Sequence, residues 1–292
     1  MMPFEIIENR INNNDGVYFI GEVGINHNGD LDIAKKIILE AKKAGFSAVK
    51  FQKRNPDLST PEDMKDKLRE TPWGEMTYLA YKHRIEFGKK EYDEIAKYCL
   101  ELEIDWFASC WDTDSLDFLL QYNPPVLKIA SASITDKALL EAHSDTKLPL
   151  VMSTGMSTMD EILKAFEILK NNPLAILHTT STYPCPPEEL NLNMIRTLIE
   201  IFPNNPIGYS GHESGLSTSI AAAVLGAKII ERHITIDRAM WGTDQSASLG
   251  IDGMNKLVGS ITKIIKSLGS GEKKVYESEK PIIKKLRNYK TT

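Results

Sequence analysis

The chain has 292 residues, 42% hydrophobic and 26% charged, which is ordinary for a soluble globular enzyme and long enough for one large α/β barrel or two small domains. A formal net charge of −5 argues against a general nucleic-acid binder, although a few local lysines are enough to hold a small anion. Cys99, Cys110 and Cys185 show no Cys-x-x-Cys spacing, Met1–Arg10 carries Glu5 and Glu8 in place of a signal-peptide core, and no apolar run spans a membrane, so the sequence reads as cytoplasmic.

Short apolar runs alternate with amphipathic stretches from Val17 onward. The predicted strands are Val17–Val23, Ala48–Gln52, Asp105–Ser109, Val126–Ala130, Leu150–Ser153, Ala175–His178, Ile207–Tyr209 and Lys228–His233. Most are β-branched or aromatic and bounded by Gly, Pro or Asn, as buried parallel strands should be. After the first strand, Ala34, Ile37, Ile38 and Ala41 repeat at helical spacing with lysines outward, and Gly45 stands where a C-terminal cap belongs. The fifth helix opens with Ser157 and Asp160 in capping-box spacing, and the seventh, Gly215–Gly226, is rich in Ala and Ser. Eight β–α units in about 250 residues indicate a TIM (β/α)8 barrel over residues 1–271, followed by a basic tail over 272–292. A doubly wound sheet is disfavoured because no Gly-x-Gly-x-x-Gly follows the first strand. The connection from Lys53 to Gly88 is long enough to be a lid or insertion.

Active sites of such barrels lie at the C-terminal strand ends. That rule selects Glu22, Asn26 and His27; Lys50 and Gln52; Ser109 and Cys110; Lys128, Ser131 and Ser133; Ser153 and Thr154; His178, Ser181 and Tyr183; Ser210 and His212; Glu231 and His233; then Asp237 and Asp244. Lys50 and Lys128 interrupt apolar strands, so each requires an anion. That anion is a bound phosphate or carboxylate, or a structural partner such as Glu22 or Glu231; an imine-forming lysine is the third reading. His212 and His233 end adjacent strands, with Asp237 and Asp244 beyond, a donor set suited to a divalent ion such as Mn²⁺. His83 and His143 read as exposed or helical, the methionines as packing, and Trp106 and Trp111 as core. Trp73 and Trp241 fall on site-facing loops, where an indole can stack on a sugar.

Glu22-Val23-Gly24-Ile25-Asn26-His27-Asn28-Gly29, followed by Val49-Lys50-Phe51-Gln52, resembles the sialic acid (N-acetylneuraminate) synthase family. The resemblance continues through Lys128–Ser131, Ser153–Met156, His178–Tyr183, Ser210-Gly211-His212 and Glu231-Arg232-His233. It implies condensation of phosphoenolpyruvate with an open-chain aldose, dependent on a divalent metal (Mn²⁺, or Mg²⁺ or Co²⁺), in a homodimer. By motif it implies that Lys50, Gln52, Lys128, Ser131, Ser153 and Ser210 bind phosphoenolpyruvate and that His212 and His233 hold the metal. Glu22 and Asp244 would organise water and the aldehyde, and Tyr183 would contact substrate.

Three departures stand out. Ser133 replaces a frequent glutamate, Ser181 replaces a frequent asparagine, and the sequence stops near the point where relatives add an antifreeze-like domain. The first two point to an acceptor other than ordinary N-acetylmannosamine, unless Glu161 or Glu213 fills the gap. The third assigns closure of the site to the 53–88 loop, with Trp73, Tyr81 and a substrate-binding Arg84, or to the tail with Lys284, Lys285, Arg287 and Tyr289. Three other readings compete: a Schiff-base keto-acid lyase on Lys50 or Lys128, a metal-dependent hydrolase using His212, His233 and Asp244, and a sugar-phosphate binding protein.

Overall fold

Each apolar run becomes a strand, with ends within two residues of the sequence expectation: β1 Tyr18–Gly24, β2 Ala48–Lys53, β3 Asp105–Cys110, β4 Leu127–Ile129, β5 Leu150–Ser153, β6 Leu174–Thr179, β7 Ile207–Gly211 and β8 Ile229–His233. The computed structural model describes residues 16–287; Met1–Arg10 and Tyr289 lie outside them. The strands pair in parallel in chain order, and β8 returns to β1, so the sheet closes into a barrel. The barrel helices are α1 Leu31–Ala44, α2 Lys89–Glu101, α3 Thr113–Leu120, α4 Lys137–Asp145, α5 Met159–Leu169, α6 Met194–Ile201, α7 Ser217–Val224 and α8 Ile251–Leu268.

Local signals explain the helix limits. Asp30 caps α1 by accepting from the Asp32 and Ile33 N–H groups, and Gly45, at φ 91°, ends it by donating to the Ala41 and Lys42 carbonyls. The capping box of α5 lies one residue later than its sequence spacing suggested. Thr158 and Glu161 form it, while Ser157 donates to the Gly155 carbonyl instead. His143 is helical but fully buried, because its Nδ1–H donates to the Leu139 carbonyl 2.8 Å away.

Side-chain alternation along the strands sets what faces the axis. Tyr18, Ile20, Ala48, Phe107, Val126, Val151, Ala175, Leu177 and Ile229 fill the lower interior as one apolar cluster. One step further along each strand come Glu22, Lys50, Ser109, Lys128, Ser153 and Glu231, so polarity is confined to the upper layer. Register aligns them: Glu22 pairs with both Lys50 and His233, Ser109 with Lys128, and Glu231 with Ser210.

The 53–88 connection is structured. It holds two one-turn helices, a two-residue hairpin of Leu68–Arg69 with Met76–Thr77, and the helix Tyr78–Ile85. Trp241, from the loop after β8, packs edge-on against Tyr81 and Trp73, and the Arg69 guanidinium lies 4.2 Å over the Tyr81 ring. Beyond α8, a single 3₁₀ turn and the helix Lys280–Leu286 bury no residue. Among the described residues, no helix is long and apolar enough to cross a membrane.

Candidate active site

At the C-terminal mouth the upper layer opens into a cavity of about 220 Å³. It is walled by Glu22, Lys50, Gln52, Lys128, Ser131, Ser153, Ser181, Tyr183, Ser210, His212, Glu231 and His233, all expected from the sequence. Lys50 contacts Glu22 directly, lies 3.6 Å from Glu231 and donates to Ser109 Oγ at 3.1 Å. Lys128 donates to Ser153 Oγ at 2.6 Å and to the Ile129 carbonyl at 3.1 Å. The structural partners and the anion-facing cavity therefore coexist. Burial draws both lysines below the ordinary range against the pull of Glu231. Burial alone would raise the Glu231 carboxyl, but Lys128 and Lys50 hold it low. The cluster is consequently poised between ammonium and carboxylate, and an added anion gains from two desolvated cations.

The imidazoles of His212 and His233 lie 5.6 Å apart, centroid to centroid. His212 Nδ1–H donates to the Thr180 carbonyl at 2.8 Å, which leaves Nε2 as the free lone pair. His233 Nδ1 is buried without a hydrogen bond, 4.0 Å from Asp244 Oδ2. Burial lowers both histidines, His233 to about 4 despite Asp244, so they are neutral donors at physiological pH. Among the described residues no three His, Cys, Asp or Glu side chains close on one point. Two neutral imidazoles, one with an orphaned nitrogen, beside Asp244 and Glu22 nevertheless fit a divalent cation. The Tyr183 ring covers the pair, 4.1 Å from His212.

Neighbouring loops hold this geometry. Asn26 donates to the Ile234 carbonyl and to Ser248 Oγ, Asn28 donates to the Trp241 carbonyl, and Gln245 returns a bond to the Asn26 carbonyl. The loop after β1 thus braces the loop carrying Asp244. Gln52 donates to Glu22 Oε1 at 3.0 Å. Gly155 has no Cβ because one there would collide with Ser181 Oγ and lie 2.8 Å from Ser131 Oγ; its N–H donates to Ser131.

Several expected residues lie elsewhere. Arg84 stacks its guanidinium 4.5 Å over Trp73, outside the mouth, and does not line the cavity. Ser133 is buried in the 3₁₀ turn after β4, and neither suggested substitute is free: Glu161 caps α5 and Glu213 pairs with Arg232 at 2.9 Å. His178 points out of the barrel and bonds the Leu190 carbonyl, as strand alternation from Leu177 dictates. His27 stacks on Phe87, 3.9 Å away, and accepts from the Gly29 N–H. Cys110 is buried with its thiol pushed up by desolvation, and Asp237 caps a local turn. Trp73 and Trp241 clasp each other and do not line the mouth.

Sequence reasoning missed other residues. Trp111 and the exposed Met156 both line the cavity. A second cavity of about 400 Å³ adjoins the first and shares Gln52, Trp111, Tyr183 and His233 with it; Arg54, Lys82, Tyr78 and Asp244 are among its other walls. Arg54 was discoverable in principle, since it lies two residues past Gln52 on the same strand end. Lys82 was not, because only the fold of the 53–88 connection brings it there.

A closed parallel barrel with buried lysines, serines and paired imidazoles at its C-terminal mouth has the architecture of a barrel enzyme, with a site whose cations and hydroxyls suit a small anion. The comparisons with known proteins agree. The NeuB family model matches residues 37–273. Human N-acetylneuraminate-9-phosphate synthase is 38% identical over 277 residues, 92% of this chain and 76% of its own length. The N,N'-diacetyllegionaminic acid synthase of Legionella pneumophila is 35% identical over 91% of this chain and 77% of its own. The sialic acid synthetase structure from Leptospira borgpetersenii, a citrate complex, superposes with a TM-score of 0.82 at 34% identity, covering 93% of this chain and 92% of that one. The chain belongs to the NeuB family of sialic acid synthases.

Proposed function

We propose that this enzyme condenses phosphoenolpyruvate with an open-chain aldose and water to give a 2-keto-3-deoxy sugar acid and inorganic phosphate. The observation that carries the reading is the pair Lys50 and Lys128, buried at one level of the barrel and facing a small cavity bordered by serine hydroxyls. Two ammonium groups suit the phosphate and carboxylate of phosphoenolpyruvate, and Ser131, Ser153 and Ser210 supply neutral donors. The C3 carbon of phosphoenolpyruvate bonds to the aldehyde carbon, whose oxygen gains a proton. Water then adds at C2 to supply the keto oxygen, and the bond between C2 and the bridging oxygen breaks, so that this oxygen leaves with the phosphate. Glu22, held by Gln52, and Asp244, held by the braced loop after β8, orient the water and the aldehyde. Tyr183 covers the reacting end of the sugar and limits water.

His212 and His233 would hold a divalent ion, Mn²⁺ or alternatively Mg²⁺ or Co²⁺, which would supply Lewis-acid polarisation of the aldehyde oxygen. A cytoplasmic setting, supported by three free cysteines, and a homodimer belong to the same reading. The relatives' products differ, since one carries a terminal phosphate and another two acetamido groups, so membership alone does not select the acceptor.

The test is incubation with phosphoenolpyruvate, Mn²⁺ and a panel of aldoses, following keto acid by mass spectrometry and phosphate by colorimetry. Equal yields of both are expected. Pyruvate released without a carbon–carbon product would overturn the synthase reading. Calorimetric titration should show one Mn²⁺ site in the wild type and its loss in His212→Ala and His233→Ala; undiminished binding in both variants would sink the metal assignment.

A further inference from the structure

The second cavity contains more positive charge than the protein neutralises. Arg54 and Lys82 are 8% and 9% exposed, respectively, and both line it. Arg54 donates one N–H to Gln52 Oε1 and lies 4.3 Å over Trp111, and its buried Nε has no partner. Lys82 reaches between the rings of Tyr78 and Tyr81, at 5.0 and 5.8 Å. Among the described residues, neither cation has a carboxylate within ion-pairing distance. Glu86 accepts the Arg54 peptide N–H, but its carboxylate is taken by Lys53 at 2.7 Å. Asp244 lines the same cavity but lies beside His233. Burial, with Arg54 adding repulsion, pulls Lys82 down to about 8. Two desolvated cations side by side are costly unless an anion joins them.

We infer that the acceptor sugar carries a phosphate monoester at the end remote from its aldehyde, and that Arg54 and Lys82 bind it. This rests on the synthase reading, which puts the aldehyde at the wall shared by Tyr183 and His233. The remainder of the sugar then extends into the second cavity, towards the two cations and the hydroxyls of Ser59, Thr60 and Tyr78. Phosphoenolpyruvate does not account for the cations, because Lys50 and Lys128 already serve it in the inner cavity. An acetamido group does not account for them either, since an amide requires no charge. Arg54 offers a planar fork for phosphate oxygens, and Lys82 a point charge.

The experiment compares N-acetylmannosamine and mannose with their 6-phosphates as acceptors, in wild type, Arg54→Gln and Lys82→Gln. The expected result is a preference for the phosphorylated sugars of at least about a hundredfold in kcat/KM, as two charge-assisted contacts would give. In each variant the ratio of phosphorylated to unphosphorylated kcat/KM should fall at least about tenfold. A wild-type preference for the unphosphorylated sugars would overturn the inference and leave the synthase reading intact. So would a variant effect confined to the KM of phosphoenolpyruvate. Condensation of none of the sugars would instead remove the reaction. Calorimetry with mannitol and mannitol 6-phosphate, which cannot react, then decides the site alone: equal binding of the two overturns it.

Discussion

At the scale of single residues, the site depends on buried charge held in balance. Lys128→Met removes one of the two cations that keep Glu231 ionised and leaves phosphoenolpyruvate a single ammonium. Breaking such a buried group costs several kcal/mol. The expected outcome is a loss of about a thousandfold or more in kcat/KM for phosphoenolpyruvate, read by phosphate release. Borohydride treatment of the wild type with pyruvate should leave its mass unchanged, because neither lysine is expected to form an imine. Histidines give a second test. His27, His143, His178, His212 and His233 are all held below 6.5 by burial, His27 to about 3 and His233 to about 4. Below 6.5 the unfolded chain binds more protons than the folded one, so stability present at neutral pH is lost as pH falls towards the folded values. For His27, held to about 3, that slope approaches about 1.4 kcal/mol per pH unit between the two values. Urea denaturation between pH 7 and 4.5 should show a flatter profile for His27→Gln than for the wild type.

At the scale of elements, strands were legible and loops were not. An apolar run bounded by turn residues specifies a buried strand wherever it falls, and the barrel rule then turns the polar residues near its C-terminal end into candidate site residues. Lys50, Ser153 and Glu231 were all found this way. Alternation would also have excluded His178, which follows inward-facing Leu177. Loop residues obey no such rule. Arg84 was chosen for its charge and its place in the 53–88 connection, yet the fold turns it onto Trp73 and brings Lys82, two residues earlier, into the site. Trp111 and Met156 were assigned to packing because hydrophobic residues usually pack. The clasp of Trp241 with Tyr81 and Trp73 joins two connections that share no local signal. Trp241→Ala should loosen both Lys82 and Asp244, raising the sugar KM about tenfold and that of phosphoenolpyruvate less. A larger effect on phosphoenolpyruvate would show that the clasp serves the inner cavity instead.

For the whole molecule, the barrel ledger closes without the tail. The helix Lys280–Leu286 buries nothing, so truncation after Glu279 should change unfolding free energy by less than about 1 kcal/mol and leave kcat within about twofold. A truncated chain that loses phosphoenolpyruvate turnover would assign site closure to the tail. The distribution of charge is also a property of the whole. A net charge of −5 coexists with Lys50, Arg54, Lys82 and Lys128 buried at one end of the barrel, so a local excess of positive charge does not show in the bulk composition.

Asn26 bonds partners 208 and 222 positions away in the chain, and those bonds lock the loop that carries Asp244. Loop-closure entropy opposes contacts of such separation until the intervening strands have assembled. The mouth is therefore expected to assemble late in folding, which pulse-labelled hydrogen exchange of the Ile234 and Leu249 amides would check. A nascent chain that has made only its first seven strands has Lys50 and Lys128 in hand but lacks Glu231, His233 and Asp244. The strand that closes the ring is thus also the one that brings the carboxylate of Glu231 and the imidazole of His233 to the two lysines.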